Sequence, residues 1–316
     1  MVARVIFIIS MLVIAACNNR DREGSEVSPD APRVALVMKS LANEFFKTME
    51  DSARDFQSMN SESFTLIANG IKNEQDVTGQ IVLVEQMIAQ EVDALVIAPA
   101  NSQALVRVLK QALDRGIVVV NIDNKLDPAT LKAEGVQIPF IGPDNRAGAK
   151  LAGQHLAKSL DKGDEVAIIG GIPSAFNAIQ REQGFKDAMK EAGITIVSNQ
   201  AGNWEMSKAN QVAAGILNAH PGLDALLCAN DNMALGAVAA VREAGKGDAV
   251  LVCGYDSISA VRQLIMEGEI VCTIDQHGDK LAIFGIEYAL EILETGIAPA
   301  DRETSVDLVS AETLTR

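Results

Sequence analysis

The 316-residue sequence contains few aromatic and few basic residues. Aromatic residues make up 4% of the chain and include a single Trp, so a hydrophobic core must be built mostly from Ala, Val, Leu and Ile. Lys and Arg number 27 against 42 Asp and Glu, which gives a formal net charge of −15 at pH 7. Because phosphate binding needs concentrated Lys and Arg, this balance argues against a nucleic-acid partner.

Patterns for nucleotide, metal or nucleophilic chemistry are also missing. No G-x-G-x-x-G follows a predicted strand, no P-loop is present, and the cysteines lack zinc-type spacing. The three histidines, His155, His220 and His277, have no Ser or Cys nucleophile motif beside them. Asp123 and Asp256 could form a carboxylate pair, but a glycosidase needs one raised pKa and nothing in the sequence indicates it. We therefore expect no enzyme activity, no cofactor and no metal site.

The first seventeen residues differ from the rest of the chain. Arg4 supplies one positive charge, and residues 5–14 form an apolar run. Such a run makes about 15 Å of helix, too short for a hydrocarbon core of about 30 Å, which indicates a signal peptide. The run leads into Ile14-Ala15-Ala16-Cys17, which resembles a bacterial lipobox whose thiol receives diacylglycerol. We expect residues 1–17 to be a lipoprotein signal peptide with Cys17 lipidated; an ordinary secretory signal is the alternative.

Residues 18–32 are polar and charged, and they contain too few apolar side chains to bury a core. They are predicted to form a flexible tether, with folded structure starting near Arg33. Acyl chains on Cys17 would hold the protein stably at a membrane. We expect an exported protein, periplasmic or on the outer face of the cell membrane, which contacts the membrane only through this anchor.

Three further cysteines, Cys228, Cys253 and Cys272, each lie inside an apolar run. Buried free thiols are the default interpretation of such positions. A Cys253–Cys272 disulfide in an oxidising compartment is the alternative.

Short apolar runs alternate with amphipathic segments through the rest of the chain. Near-continuous apolar strands separated by helices indicate parallel sheets covered on both faces, and about ten strands suggest two sheets in an α/β fold. Residues 127–137 lack strong periodicity and are predicted to be a connection. The predicted strands are Val34–Met38, Phe64–Ala68, Ala94–Ala98, Val118–Ile122, Phe140–Gly142, Val166–Gly170, Thr195–Val197, Ala225–Ala229, Val250–Cys253 and Ile270–Ile274.

Polar and aromatic residues follow these strands, where open α/β sheets bind ligands. The same chemistry recurs there: carboxylates, amides, a cation and aromatic rings. Each sugar hydroxyl is both donor and acceptor, so Asp can accept, Lys and Arg can donate, and amides can do both. This mixture suits a sugar. The residues include Lys39, Asn43, Phe45, Phe46, Asp123, Asn124, Asn230, Asp256 and Gln276.

Seven segments in order resemble a known family: residues 35–46 (ALVMKSLANEFF), 120–124 (VNIDN), 142–145 (GPDN), 181–185 (REQGF), 228–236 (CANDNMALG), 254–256 (GYD) and 273–276 (TIDQ). Over residues 33–308 the chain is similar to the ribose- and allose-binding proteins of bacterial ABC importers, the type I periplasmic binding proteins. The resemblance implies two Rossmann-like lobes, residues 33–142 plus 277–304 and residues 143–276 plus 305–316. The hinge would have three crossings, near Pro143, Gln276 and Ser305.

The resemblance also implies roles for single residues. Phe46 and Trp204 would sandwich the sugar ring, with Phe45 beside them. Lys39 matches the allose-binding pattern, whereas ribose binders have a serine there. Asn124 replaces a charged residue of both relatives. The hydroxyls would be bound by Asn43, Asp123, Arg181, Asn230, Asp256 and Gln276, and Asn177, which shares a helical face with Arg181, is a further candidate.

Structural alternatives exist for several of these residues. Asp123, Asn230 and Asp256 could cap the helices that follow them, since Asn and Asp favour that position. Asp231 is expected to be a better cap than its neighbour Asn230. One of Phe45 and Phe46 is expected to lie in the core.

The implied function is that of a monomeric solute-binding protein of a sugar ABC importer. It would capture an allose- or ribose-like pentose or hexose by cleft closure and deliver it to the permease. The alternative is a sugar or autoinducer sensor that presents its closed form to a chemoreceptor or histidine kinase. A repressor of the same fold would need a basic helix-turn-helix at its N-terminus, where an export signal stands instead.

Overall fold

A computed structural model describes residues 31–315 of the chain. The predicted signal peptide, the lipidation site Cys17 and most of the predicted tether lie outside the described residues. Within this described part, no helix combines the length and the apolar character needed to cross a bilayer.

Strands and helices alternate along almost the whole described chain. The strands are β1 (Arg33–Ser40), β2 (Thr65–Ile71), β3 (Ala94–Ile97), β4 (Val118–Ile122), β5 (Phe140–Pro143), β6 (Glu165–Gly170), β7 (Thr195–Ala201), β8 (Ala225–Cys228), β9 (Leu251–Cys253), β10 (Cys272–Asp275), β11 (Arg302–Thr304) and β12 (Asp307–Ser310). The helices are α1 (Glu44–Met59), α2 (Val77–Ala89), α3 (Val106–Asp114), α4 (Pro128–Glu134), α5 (Asn145–Leu156), α6 (Phe176–Ala192), α7 (Met206–Ala219), α8 (Asp231–Glu243), α9 (Ser259–Met266), α10 (Gly278–Thr295) and α11 (Ala311–Leu314).

The strands form two six-stranded sheets, in the orders β11-β5-β4-β3-β1-β2 and β12-β10-β9-β8-β6-β7. Neighbouring strands are parallel, apart from the antiparallel pair β10–β12. Central strands such as β3 and β8 are buried along their full length because helices cover both faces. The predicted α/β class with two parallel sheets is confirmed.

The chain passes from one sheet to the other three times. It leaves β5 of the first sheet for α5, which packs on α6 and β10. It returns between β10 and α10, which packs on α1, β3 and β4, and it crosses again between β11 and β12. We call the first sheet with α1–α4 and α10 the N-terminal lobe. The second sheet with α5–α9 and α11 is the C-terminal lobe.

Polar edge strands account for most differences from the predicted strands. β2 and β7 lie at sheet edges and extend to Ile71 and Ala201, beyond their predicted ends, because half-exposed strands tolerate polar residues such as Asn69 and Asn199. The short strands β11 and β12 were not predicted, since three or four half-exposed residues carry no apolar run.

Residues 127–137, predicted to be a connection, do link β4 to β5, and α4 occupies most of them. Asp127 caps this helix by accepting from the Thr130 N–H, Pro128 stands in the first turn, and Gly135 ends it in the left-handed conformation at φ +68°. Each of these residues is typical of its position at a helix end. The helix is too short to show periodicity.

Cys228, Cys253 and Cys272 are free and buried. Cys253 and Cys272 are register partners on β9 and β10. The hydrogen bond with Cys253 and then burial raise the pKa of the Cys272 thiol well above its ordinary value. Burial also raises the pKa of the Cys228 thiol well above its ordinary value, so Cys228 and Cys272 are protonated core thiols.

The contact between α5 and α6 generates a test of the packing. A Cβ on Gly184 would lie 2.2 Å from the Arg146 carbonyl oxygen, so Gly184→Ala must push the two helices apart. We expect a loss of about 1–3 kcal/mol in the free energy of unfolding, measured by urea denaturation. The control is Gly215→Ala on α7, where nothing lies within 4 Å, and which should gain about 0.5–1 kcal/mol. Equal stability of the two variants would contradict the close approach.

Candidate functional site

A narrow cavity lies between the two lobes. None of its lining side chains is more than 8% exposed. The lining residues are Lys39, Asn43, Phe45, Phe46, Glu74 and Asp123 from the N-terminal lobe, Asn177, Arg181, Trp204, Asn230 and Asp256 from the C-terminal lobe, and Gln276 at a crossing.

The fold brings these residues together because the carboxyl ends of both sheets face the same cleft. Lys39 lies near the end of β1, Asp123 follows β4, and Glu74 lies in the loop after β2. Asn230 follows β8, and Gln276 follows β10. The structure thus gathers eleven of the twelve predicted ligand-binding residues, all except Asn124, around one cavity.

A cation and aromatic rings from both lobes meet in the cavity. Lys39 Nζ lies 5.3 Å from the centroid of the Phe46 ring and 5.9 Å from that of Trp204. Phe45 and Phe46 contact each other edge to face, with centroids 5.1 Å apart, and both are buried. Phe46 and Trp204 therefore face the same space from opposite lobes, and both members of the Phe pair reach the cavity.

The Lys39 ammonium pairs with Asp123. The distance from Nζ to Asp123 Oδ2 is 3.0 Å, and both side chains are buried. The pair lies outside hydrogen-bonding geometry, so Asp123 Oδ2 has no hydrogen-bond partner. A buried ion pair of this kind needs further hydrogen bonds to offset its desolvation.

Arg181 is fixed by four hydrogen bonds within the C-terminal lobe and the crossing. Its Nε donates to Asn145 Oδ1 at 2.7 Å, and Nη1 donates to the Ala229 carbonyl at 2.8 Å. Nη1 also lies 3.4 Å from Asp256 Oδ1, and Nη2 is 3.3 Å from Gln276 Oε1. Gln276 Nε2 donates to Asp256 Oδ1 at 2.7 Å. The guanidinium is therefore held in one place before any guest arrives.

Burial shifts the acidity of the cavity carboxyls. It raises the pKa of Asp256 well above its ordinary value, and the Arg181 charge opposes that rise. It also raises the pKa of Glu74 to about 7, against the opposing charge of Lys39. Glu74 is thus partly protonated near neutral pH, and its carboxyl can donate as well as accept.

The sequence prediction missed Glu74, although its carboxyl lines the cavity. Oε1 accepts from Asn43 Nδ2 at 3.3 Å, while Oε2 has no hydrogen-bond partner. The strand-end rule could have found it, but the predicted end of the second strand fell at Ala68 and not at Ile71.

Three acceptor oxygens of cavity side chains lack hydrogen-bond partners within residues 31–315: Glu74 Oε2, Asp123 Oδ2 and Asn177 Oδ1. A buried polar group left without a partner costs about 1–3 kcal/mol. Hydroxyl donors placed in the cavity would satisfy them. The arrangement therefore fits a guest that carries several hydroxyl groups.

Three cavity residues adopt positive φ angles that side chains other than Gly rarely take: Asp123 at +62°, Trp204 at +69° and Asp256 at +122°. Backbone strain of this kind clusters at binding and active sites. Here it marks the loops of both lobes that carry the cavity side chains.

Asn124 does not line the cavity. Its Nδ2 donates to the Pro99 carbonyl at 2.9 Å, and its Oδ1 accepts from the Asn177 N–H at 3.2 Å. Oδ1 also lies 3.4 Å from Ser102 Oγ. Protein groups thus satisfy both ends of the amide, which leaves it no free atom for a guest.

The expectation that Asp231 caps α8 is wrong, because Asn230 is the cap. Asn230 Oδ1 accepts from the Met233 N–H at 2.9 Å, although the same side chain lines the cavity. Asp231 is fully buried, and accepts from Thr273 Oγ1 at 2.7 Å and from the Ile258 N–H at 2.9 Å. The buried carboxyl organises the loop below the cavity.

Hydrogen bonds between the lobes hold the cleft shut. Acceptors and donors from the N-terminal lobe meet residues at or just before the N-termini of α6, α7 and α9. The contacts are Glu44–Ser259, Ser102–Phe176, Asn124–Asn177, Asn101–Ser174 and the Glu74 N–H with Glu205.

Two parallel α/β lobes, three crossings and a shut polar cleft define a two-lobed small-ligand-binding protein. Residues 34–297 match the family model described as "Periplasmic binding protein domain". The chain therefore belongs to the periplasmic binding protein family, which consists of sugar-binding transport proteins and not of enzymes. The family also fits the predicted export of the chain to the periplasm.

Two curated relatives are similar over most of their length. A D-ribose/D-allose-binding protein of Pseudomonas aeruginosa is 56% identical over 289 residues, which cover 90% of each chain. The D-allose-binding periplasmic protein of Escherichia coli is 32% identical, with 90% of this chain and 93% of the relative covered.

Two solved structures share the architecture. An ABC transporter solute-binding protein of Burkholderia multivorans is 54% identical, with a TM-score of 0.87 and coverage of 89% and 99%. Its unknown ligand is represented by α-D-erythrofuranose. A solute-binding protein of Actinobacillus succinogenes with bound D-allose is 35% identical, with a TM-score of 0.85 and coverage of 90% and 99%. The predicted type I periplasmic binding protein fold is confirmed.

The raised pKa of Glu74 generates a pH test. Because burial disfavours the charged form, Glu74 stabilises the shut form fully below its ordinary pKa of 4.5, and this contribution is lost as the pH rises through about 7. The rise in pKa corresponds to about 3 kcal/mol. We expect the free energy of unfolding of Glu74→Gln to rise relative to that of wild type, by up to this amount, as the pH increases from 4.5 to 8. Urea denaturation across this range measures it.

The control for this test is Glu303→Gln, at an exposed position on β11. Its stability curve should run parallel to that of wild type. A Glu74→Gln curve that is also parallel would show that Glu74 is not buried as a carboxyl.

Proposed function

We propose that the protein is the solute-binding subunit of an ABC importer and that it captures a monosaccharide of the D-allose or D-ribose type. The observation that carries the proposal is the cavity itself, which is lined by unpartnered acceptors, fixed donors and facing aromatic rings from the two lobes. The names of the two curated relatives and the D-allose in a related structure support this sugar class.

In the proposed complex, the sugar ring lies between Phe46 and Trp204, whose faces contact its C–H groups. Its hydroxyls donate to Asp123, Glu74 and Asn177 and accept from Lys39 and Arg181. Phe45 packs beside the ring, and the remaining polar contacts come from Asn43, Asn230, Asp256 and Gln276. Hydrogen bonds with one charged partner contribute about 1.5–3 kcal/mol each.

Lys39 favours an allose-type ligand. Serine occupies this position in the ribose-binding pattern, whereas the allose-binding pattern has lysine. Lys39 Nζ lies inside the cavity between two rings, where it can donate to a hydroxyl and still pair with Asp123.

Neither lobe alone supplies a complete set of partners, so the ligand prefers the shut form and drives closure. The shut form would then be presented to the permease by a monomeric binding protein. Lipid on Cys17 would keep the protein at the membrane, close to that permease, after export.

The single Trp provides the binding test. Trp204 is 4% exposed in the shut cleft, so titration with D-allose or D-ribose should change its fluorescence saturably. Asp123→Ala and Arg181→Ala should each weaken binding by about 1.5–3 kcal/mol or more, because each removes a charged partner.

Asp248→Ala, at an exposed position outside the cavity lining, is the matched control and should bind as wild type does. Unchanged affinity in both cavity variants would place the site elsewhere. No response of the wild-type protein to any pentose or hexose would contradict sugar binding.

Lipidation has its own test. Cells that express the full chain with radiolabelled palmitate should yield a labelled protein in the membrane fraction. Cys17→Ser should abolish the label because it removes the acceptor thiol, whereas Cys228→Ser, at a buried cysteine, should keep it. Label that persists in Cys17→Ser, or that wild type never acquires, would refute the anchor.

A further inference from the structure

Helices α6 and α9 of the C-terminal lobe, like α7, begin without a side-chain cap of their own. Ala175 and Ile258 occupy the N-cap positions of α6 and α9, and neither makes a side-chain capping bond. The first N–H groups of a helix have no partner within the helix, so a side chain or water must accept from them.

Side chains of the N-terminal lobe accept from these groups. At α9, the Ser259 N–H donates to Glu44 Oε1 at 2.7 Å, and Ser259 Oγ donates to Glu44 Oε2 at 2.9 Å. At α6, the N–H of Phe176 donates to Ser102 Oγ at 3.1 Å, and the Asn177 N–H donates to Asn124 Oδ1 at 3.2 Å.

Each helix therefore has a side-chain cap only while the lobes touch. We propose that Glu44, Ser102 and Asn124 act as cross-lobe helix caps that stabilise the shut cleft and so set its affinity for ligand without contacting the ligand. The inference rests on the proposed function, since it concerns the affinity of the same cavity.

The capping residues adjoin the residues that line the cavity. Glu44 stands between Asn43 and Phe45, and Asn124 follows Asp123. Asn124 accepts from the Asn177 N–H, and the Asn177 side chain lines the cavity. Capping thus fixes the first turn of α6, and with it Asn177 and, one turn later, Arg181, opposite the N-terminal lobe.

The effect on affinity follows from the equilibrium between open and shut forms. A ligand that binds only the shut form has an apparent Kd equal to its intrinsic Kd divided by the shut fraction. Loss of a cap at a helix N-terminus should lower the equilibrium constant for closure by about 3- to 30-fold, which corresponds to the free-energy cost found for N-cap substitutions. Because the ligand enters the open cleft before the lobes shut, its association rate should stay unchanged, and the weaker binding should appear as faster dissociation.

Ser259→Pro separates capping from folding. Proline is favoured at the first position of a helix, because the N–H that it lacks has no partner in the helix. The preceding Ile258 has φ −67° and ψ 156°, in the region that proline requires of its predecessor. The substitution removes both bonds to Glu44, yet the C-terminal lobe can still fold around α9.

We expect Ser259→Pro to keep or raise the Tm of the ligand-free protein, while the Kd for D-allose and D-ribose rises about 3- to 30-fold through koff. Asn124→Ala should raise the Kd by a similar factor through α6. Glu44→Ala combined with Ser259→Pro should weaken binding no more than either change alone, because both remove the same contact.

Asp127→Ala is the matched control, since Asp127 caps α4 inside the N-terminal lobe. This variant should show the opposite pattern, a lower Tm with unchanged affinity. Unchanged affinity in both Ser259→Pro and Asn124→Ala, or a fall in affinity only in proportion to a fall in Tm, would overturn the inference.

Acrylamide quenching of Trp204 in the ligand-free protein distinguishes this failure from failure of the proposed function. If wild type binds neither sugar, the proposed function fails, and quenching alone decides the inference. Greater quenching in Ser259→Pro or Asn124→Ala than in wild type would then support cross-lobe capping, because the cleft opens around Trp204. Equal quenching in all three proteins would overturn it.

Discussion

Closure of the cleft buries ionisable side chains that the hydrogen bonds and ion pairs of their own lobes satisfy only in part. Lys39 and Arg181 bring positive charge, while Glu74, Asp123 and Asp256 bring carboxyls, and all five are buried between the lobes. Removing such groups from water is costly unless they are paired and hydrogen-bonded. The two ion pairs offset part of this cost, and the raised pKa values of Glu74 and Asp256 show that a part remains.

That remaining cost gives the site its selectivity for a hydroxyl-rich guest. An apolar molecule in the cavity would leave the free oxygens of Glu74 and Asn177 without donors. A sugar supplies donors to both and offers C–H faces to the rings. The specificity of the site therefore comes as much from what its unpaired groups reject as from what they attract.

The sequence predicted the two sheets and most of the cavity, because buried parallel strands are apolar and their carboxyl ends converge. The sequence prediction failed where polar residues lie within a strand or are buried away from the cavity. Glu74 was missed because the polar edge strand β2 concealed where the loop begins. Asn124 and Asp231 were misjudged because adjacent residues at a strand end point in different directions, and only the packed structure shows which one meets the cavity.

The cross-lobe contacts and the buried charges act in opposite directions on the empty protein. Capping of α6 and α9 favours the shut form, whereas desolvation of Glu74 and Asp256 disfavours it. If the stabilisation by the caps dominated, the empty cleft would stay shut and a ligand could not enter. If desolvation dominated by several kcal/mol, most of the binding energy would be spent on closure. A binding protein that must both capture and release its ligand needs the two effects to be comparable, so that occupancy decides which form prevails.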